Sequence, residues 1–338
     1  MNIKTEITQL HYDRNASGAL VKALEFCAMF YEMGSSFKNF LYDKNILKAK
    51  KVDAYVISVG NMTTGGVGKT PIVLEIARYL KKKGERVAII SRGYGGKLSN
   101  SKVNIISDGT AVYYTADMAG DEPFWLAQKA DGVCVLTCRN RYAAAKFAVD
   151  NFGVTKIILD DGFQHRKLHR DLDIVLMDSR NGLGNEKLLP AGPLREGAEA
   201  LERIDKLVIV SKNIDHTSAH EFAQIMYDRL KIDTHMCYTE PDYIYNIKTG
   251  EHLEEGATVT AMCAIGQPQQ FFDFLQNYNV VDTIAFEDHH QYAPIDLVDI
   301  NTDIVTTEKD AVKLLKFDKD NIYALKLKTT IDVERLLK

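Results

Sequence analysis

Residues 54–59, A-Y-V-I-S-V, form an unbroken apolar run that stops at Gly60, the pattern of a strand buried on both faces of a parallel sheet. Residues 71–80 repeat apolar positions at helical spacing and close on Lys81, Lys82, Lys83 and Gly84, which predicts a helix with a basic last turn and a glycine stop. Residues 86–90 read as the next strand and lead into the glycine-rich turn R-G-Y-G-G at 92–96. The alternation continues with strands at 132–137, 155–159, 172–177 and 206–210 and a helix at 141–149. Strands separated by helices require crossover connections, so the pattern predicts an α/β fold with a mostly parallel sheet flanked by helices.

Near residue 235 the pattern changes. Two short strand-like pieces, 236–239 and 243–247, surround Glu240, Pro241 and Asp242 and suggest a short β connector over 235–257. A smaller α/β domain is expected over 258–338, with strands at 258–265, 283–286, 304–306 and 321–326 and a helix at 268–278. The larger core is then 51–234, preceded by a helical segment within 1–50. A length of 338 residues suits this division at ~100–200 residues per domain.

The segment 20–41 is amphipathic. Its apolar positions include Phe26, Met29, Phe30, Met33, Phe37 and Phe40, interrupted by Lys22, Glu25, Glu32 and Lys38, and Lys44, Lys48, Lys50 and Lys51 follow. Two readings stay open: packing on the protein's own core, or lying on an anionic membrane surface with the lysines near the headgroups. No run of ~18 apolar residues predicts a spanning helix, and the N-terminus lacks the pattern of a signal peptide.

Composition adds little beyond a soluble core, with 46% hydrophobic and 26% charged residues. The net charge of −4 gives no general argument for nucleic-acid binding. Five cysteines without a second close pair read as free thiols rather than a disulfide framework or zinc site.

The chemistry is densest after the first strand. Thr64, Gly65, Gly66, Val67, Gly68, Lys69 and Thr70 form a glycine-rich loop at a helix start, where backbone N–H groups point at phosphate oxygens. Lys69 suits the β- and γ-phosphates of ATP, and the Thr70 hydroxyl suits Mg²⁺. The standard P-loop spacing asks for glycine where this chain has Thr63. The loop also approaches that of partner-controlled ATPase switches, whose signature lysine is Thr64 here.

The run T-K-I-I-L-D-D at 155–161 delivers Asp160 and Asp161 to a strand's C-terminal end, where parallel sheets bind ligands and a carboxylate can hold Mg²⁺. Asp121 and Glu122, in G-D-E-P, suit a base for an acceptor hydroxyl or a site for metal-bound water, although a helix cap explains them as well. Asp288, His289 and His290 suit a base or an orienting pair. Gln164 and His165 follow the acidic pair, and Arg92, Arg139, Arg141, Arg166 and Arg195 fall near strand ends or turns, as a phosphorylated acceptor would require.

Eight motifs taken together resemble the tetraacyldisaccharide 4′-kinase family. They are S-V-G-N-M-T-T-G-G-V-G-K-T-P (58–71), S-R-G-Y-G-G (91–96), G-D-E-P (120–123), I-L-D-D-G-F-Q-H-R (158–166), L-P-A-G-P-L-R-E (189–196), A-I-G-Q-P (264–268), D-H-H-Q-Y (288–292) and T-E-K-D-A-V-K (307–313). The family shares the departure at Thr63. The resemblance implies ATP- and Mg²⁺-dependent phosphorylation of the 4′-hydroxyl of a tetraacyldisaccharide 1-phosphate, a glycolipid intermediate of lipid A biosynthesis. It implies a peripheral enzyme on the cytoplasmic face of the Gram-negative inner membrane, with no obligate protein partner.

By motif, Lys69 and Thr70 correspond to phosphate and metal contacts, Asp160 and Asp161 to the acidic pair, and Asp121 to a catalytic base. Its partner is His289 or His290, with His289 favoured. Arg92, Tyr94, Arg141, Gln164, Arg195 and Glu196 resemble acceptor-site or phosphate-contacting residues. The competing readings are a partner-controlled ATPase switch and a P-loop kinase for a soluble metabolite.

Overall fold

A computed structural model describes residues 3–212, 215–266, 268–287 and 290–338, residues 3–6 by their backbone. Two helices come first, α1 (Ile3–Leu10) and α2 (Ala19–Asp43). The core then runs β1 (Tyr55–Asn61), α3 (Lys69–Lys82), β2 (Val87–Ser91), β3 (Asn104–Asp108), α4 (Ala116–Ala119), α5 (Asp121–Lys129), β4 (Cys134–Thr137), α6 (Arg141–Phe152), β5 (Lys156–Asp160), β6 (Leu172–Asp178), β7 (Lys206–Ser211) and α7 (Thr217–Leu230). The remainder is β8 (Asp233–Asn246), β9 (Thr258–Cys263), α8 (Pro268–Asp273), β10 (Asn279–Ala285), β11 (Asp303–Thr307), α9 (Glu308–Leu314), β12 (Ile322–Ile331) and α10 (Val333–Leu336).

Among the described residues twelve strands join one sheet in the order β10-β9-β11-β12-β8-β7-β6-β1-β5-β2-β4-β3. Pairing is parallel except for β3 against β4 and β12 against β8. The two strand-like pieces expected in the connector are one strand. The first part of β8 pairs with β7 and its second part with β12, with Cys237 and Tyr238 shared, so the sheet passes through it unbroken. The helix expected at 268–278 is shorter, Pro268–Asp273, and ends in turns.

Alternation along the strands sends side chains to opposite faces, and helices cover both. Ile57 and Val59 of β1 pack with Ile72, Ile76 and Leu126 of α3 and α5. Val333 and Leu336 of α10 join the same cluster, so the chain's last helix leans on the core. Val56 faces the other way, with Ala144 and Ala148 of α6. Burying β1 on both faces fixes where its C-terminal end, and the loop after it, must lie.

Helix α2 inverts the usual arrangement. Within it only Val21, Ala28 and Asn39 are buried, while Phe26, Met29, Phe30, Met33 and Phe37 are 59–68% exposed. Their spacing places them on one helical face. The opposite side is moored by polar contacts: Tyr31 Oη donates to the Arg195 carbonyl (3.0 Å), Lys38 Nζ to the Gln164 carbonyl (3.0 Å), and Arg166 Nη2 to Asp43 (2.6 Å). Packing of the apolar face on the protein's own core is therefore not what the fold does. No helix among the described residues is long and apolar enough to cross a membrane.

Candidate active site

The glycine loop links the buried end of β1 to α3. Gly65 and Gly68 have φ of +113° and +96°, a region that residues with a side chain rarely adopt, so glycine is required for this path. Gly68 caps α3, and the helix begins at Lys69, two residues earlier than the periodicity indicates. Lys69 turns its ammonium back to Asn61 Oδ1 (3.0 Å) and Asp161 Oδ1 (3.4 Å). The lysine is thus held at the loop's mouth by residues from the ends of two neighbouring strands.

The acidic pair splits into two environments. Asp161 accepts from Arg195 Nη1 at 2.9 Å on each oxygen. Burial works to raise its pKa, but Lys69 and Arg195 outweigh burial and hold it below the ordinary carboxylate value. Asp160 is pushed the other way, by burial first and then by the charge of Glu122, with Lys69 opposing. One Asp160 oxygen, Oδ1, is buried without a hydrogen-bond partner. An orphaned carboxylate oxygen on a buried side chain, near the helix that carries Thr70, is the kind of ligand a hard cation takes. The residues present therefore fit magnesium.

Around this pair the expected cations divide. Arg141 is buried at the start of α6, within electrostatic reach of Asp161, Asp160 and Arg92, and its Nε has no partner. Arg92 and Tyr94 sit on an exposed turn, with Tyr94 76% exposed. Gln164 donates to the Asn61 carbonyl (3.0 Å) and so braces the β1 end. Glu196 is different: its carboxylate is 3% exposed and pairs with Arg203 (2.7 Å) and Asn39 of α2 (3.0 Å). It serves as an internal strut between α2 and the turn at 198–203.

Asp121 begins α5, and Lys313 of α9 reaches it at 3.3 Å. Lys313 also donates to the His290 carbonyl (3.3 Å), so the histidine segment and Asp121 meet through this lysine. The His290 ring points elsewhere: it hydrogen-bonds Asp296 at 2.9 Å and stacks on Phe286 with centroids 4.3 Å apart. His289 lies outside the described residues. Lys313, Asn61 and the charge of Glu122 on Asp160 are the contributors that residue-by-residue reading did not single out. Lys313 ends the T-E-K-D-A-V-K run, but nothing in its sequence neighbourhood pairs it with Asp121.

A glycine loop from a parallel strand into a helix, a lysine at its mouth and a carboxylate pair on the adjacent strand define a P-loop nucleotide-phosphate site. Residues 20–338 match the family described as tetraacyldisaccharide-1-P 4′-kinase. The tetraacyldisaccharide 4′-kinase of Syntrophus aciditrophicus is 36% identical over 94% of this chain and 92% of its own. That of Desulfotalea psychrophila is 37% identical over 87% and 88%. Among solved structures, LpxK from Aquifex aeolicus in complex with ATP superposes with a TM-score of 0.75 at 33% identity, covering 94% of this chain and 97% of that one. The chain belongs to the tetraacyldisaccharide 4′-kinase family.

Proposed function

We propose that this protein transfers the γ-phosphate of ATP to the 4′-hydroxyl of tetraacyldisaccharide 1-phosphate, and that residues 64–70 bind the nucleotide phosphates. The observation that carries this reading is the junction of Lys69 with Asp161 beside the orphaned oxygen of Asp160, all at the mouth of the loop. Thr70 and Asp160, with Asp161 alongside, are the residues to hold Mg²⁺, which when bound neutralises phosphate charge. Lys69 adds a fixed positive charge that requires no reorganisation during transfer.

Asp121 is the proposed base that accepts the 4′-hydroxyl proton as that oxygen attacks phosphorus and ADP departs. His289 is its proposed partner, because the His290 ring is already engaged by Asp296. Arg92, Arg141 and Tyr94 are proposed to meet the acceptor, with arginines suited to its 1-phosphate. Arg195 and Gln164 support the acceptor side indirectly, through Asp161 and the end of β1.

The exposed apolar face of α2 is proposed to lie in the surface of the inner membrane, on its cytoplasmic side, where the acyl chains of the substrate reside. Its mooring to residues 164, 166 and 195 supports this, since it ties the docking face to the site.

The test is phosphate transfer from labelled ATP to tetraacyldisaccharide 1-phosphate in detergent, with Lys69→Ala alongside. Phosphorylated lipid is expected from the wild type and loss of at least 100-fold from the variant. ATP hydrolysis independent of the lipid, with no phosphorylated product, would instead favour an ATPase switch.

A further inference from the structure

The phosphate loop is held from outside by a residue that no motif singles out. Lys212 directly follows β7, and its ammonium donates to the Gly66 carbonyl at 2.7 Å. The same ammonium lies 3.5 Å from Asp178 Oδ2 at the end of β6, and the two side chains are only 10% and 8% exposed. Strands β7, β6 and β1 are neighbours in that order. Three consecutive strand ends therefore meet as a cation, an anion and the loop.

The contact falls where the loop has least support of its own. A Cβ built on Gly66 would touch nothing within 4 Å, so no neighbour packs on that side of the residue, and glycine has the widest backbone freedom. Lys212 Cε lies 3.7 Å from where a Cβ of Gly68 would sit, so the lysine stem runs along the loop. Asp178 is itself fixed by the backbone N–H groups of Arg180 and Asn181, at 3.0 and 3.1 Å. Burial lowers the pKa of Lys212, with Asp178 opposing, so the contact to Asp178 offsets part of the cost of placing an ammonium here.

We propose that Lys212 is a positioning residue for the phosphate loop, latching the Gly66 carbonyl so that the loop is already ordered when ATP arrives. Preorganisation of this kind lowers the ordering cost of binding and shows in nucleotide affinity rather than in the chemical step. The proposal rests on the reading of residues 64–70 as the ATP phosphate loop.

The experiment compares wild type, Lys212→Met, Lys212→Arg and Lys69→Ala by calorimetric titration with ATP and Mg²⁺. It adds steady-state kinetics in which ATP and tetraacyldisaccharide 1-phosphate are varied in turn. Loss of a hydrogen bond from a charged donor predicts ATP binding roughly 10- to 100-fold weaker in Lys212→Met. KM for ATP should rise by a similar factor, KM for the lipid should stay within about twofold, and Lys212→Arg should recover part of the loss.

Unchanged ATP affinity in Lys212→Met, with Lys69→Ala impaired, overturns the latch alone. Unchanged affinity in Lys69→Ala overturns the reading of the loop itself. Equal loss in both KM values and in kcat, with a lowered unfolding temperature, assigns Lys212 a general structural role and also overturns the latch. Should Lys212→Met fail to fold, Lys212→Arg and Lys212→Gln carry the same comparison.

Discussion

Lys313 holds its ammonium 3.3 Å from a carboxylate oxygen of Asp121, joining α9 to the first turn of α5. The lysine is 6% exposed and also lies 3.8 Å from Asp310, which is fully buried. Asp310 accepts from the Ala264 N–H (2.9 Å) and the Thr307 hydroxyl (2.8 Å), so the cap of α9 fixes the lysine that fixes the proposed base. Removing one partner of such a cluster leaves buried charge uncompensated, at a cost of about 3–5 kcal/mol. Lys313→Met is expected to lose stability on that scale in denaturant unfolding. Its turnover should fall by roughly 100-fold, the penalty for misplacing a reacting group by about 1 Å. Because the two residues act together, Asp121→Asn combined with Lys313→Met should cost less than the sum of the single changes. Strict additivity would show that the contact does not position Asp121.

The G-D-E-P and R-G-Y-G-G motifs are far apart in sequence and touch through their glycines. A Cβ on Gly120 would fall 2.6 Å from the Tyr94 carbonyl oxygen, and one on Gly96 would fall 2.6 Å from the Met118 carbonyl oxygen. Gly120 also has φ +94° and ψ 152°, a conformation essentially reserved for glycine. Gly120→Ala is therefore expected to cost at least about 2 kcal/mol, counting strain and backbone overlap. Thermal unfolding and the kinase assay should both report it, and Gly96→Ala should resemble it. A Gly120→Ala protein with wild-type melting would mean that the two turns separate freely.

This meeting marks the limit of what the sequence discloses. The phosphate loop and the acidic pair are legible because each is contiguous and follows a strand whose apolar run is unmistakable. Pairings across the fold are not. The edge strand β3, only two of whose five positions are buried, carries no continuous apolar run, and α7 buries only Ala219 and Met226. The continuity of β8 is hidden by Pro241, which the strand accommodates beside a register shift at Lys326 and Leu327. Glu196 shows the reverse relation. Its motif matches the family, but burial against Arg203 and Asn39 gives the side chain a bracing role. Local spacing identifies a residue type with a task, and only the fold reveals which neighbour already occupies it.

The α2 face offers a test independent of catalysis. Phe30 and Phe37 are 63% and 62% exposed, so replacing them should disturb the folded core little. Burying each ring in a membrane surface is worth about 1.5–3 kcal/mol. Phe30→Asp with Phe37→Asp should reduce binding to phosphatidylglycerol-containing vesicles by more than about 100-fold in flotation, with melting shifted by no more than a few degrees. Wild-type flotation by the double variant would mean that this face does not meet the lipid.

His165 makes stability depend on pH. Burial and then the charge of Arg141 lower its pKa to about 4, and its Nε2 is buried without a hydrogen-bond partner. In the unfolded chain the ring titrates near ~6.5. Between those values the unfolded state binds the extra proton, so stability rises with pH and is lost as pH falls from about 6.5 toward 4. Allowing for solvent screening of a partly exposed ring, the full effect is on the order of 2 kcal/mol. His165→Gln removes the titrating group while keeping a polar side chain of similar length. Denaturant unfolding at pH 7.5 and pH 5 should therefore show a larger acid loss for the wild type than for the variant, by roughly 1–2 kcal/mol. Parallel losses in the two proteins would mean that His165 accepts its proton in the folded state as readily as in the unfolded chain, and that the neighbouring cations do not govern it.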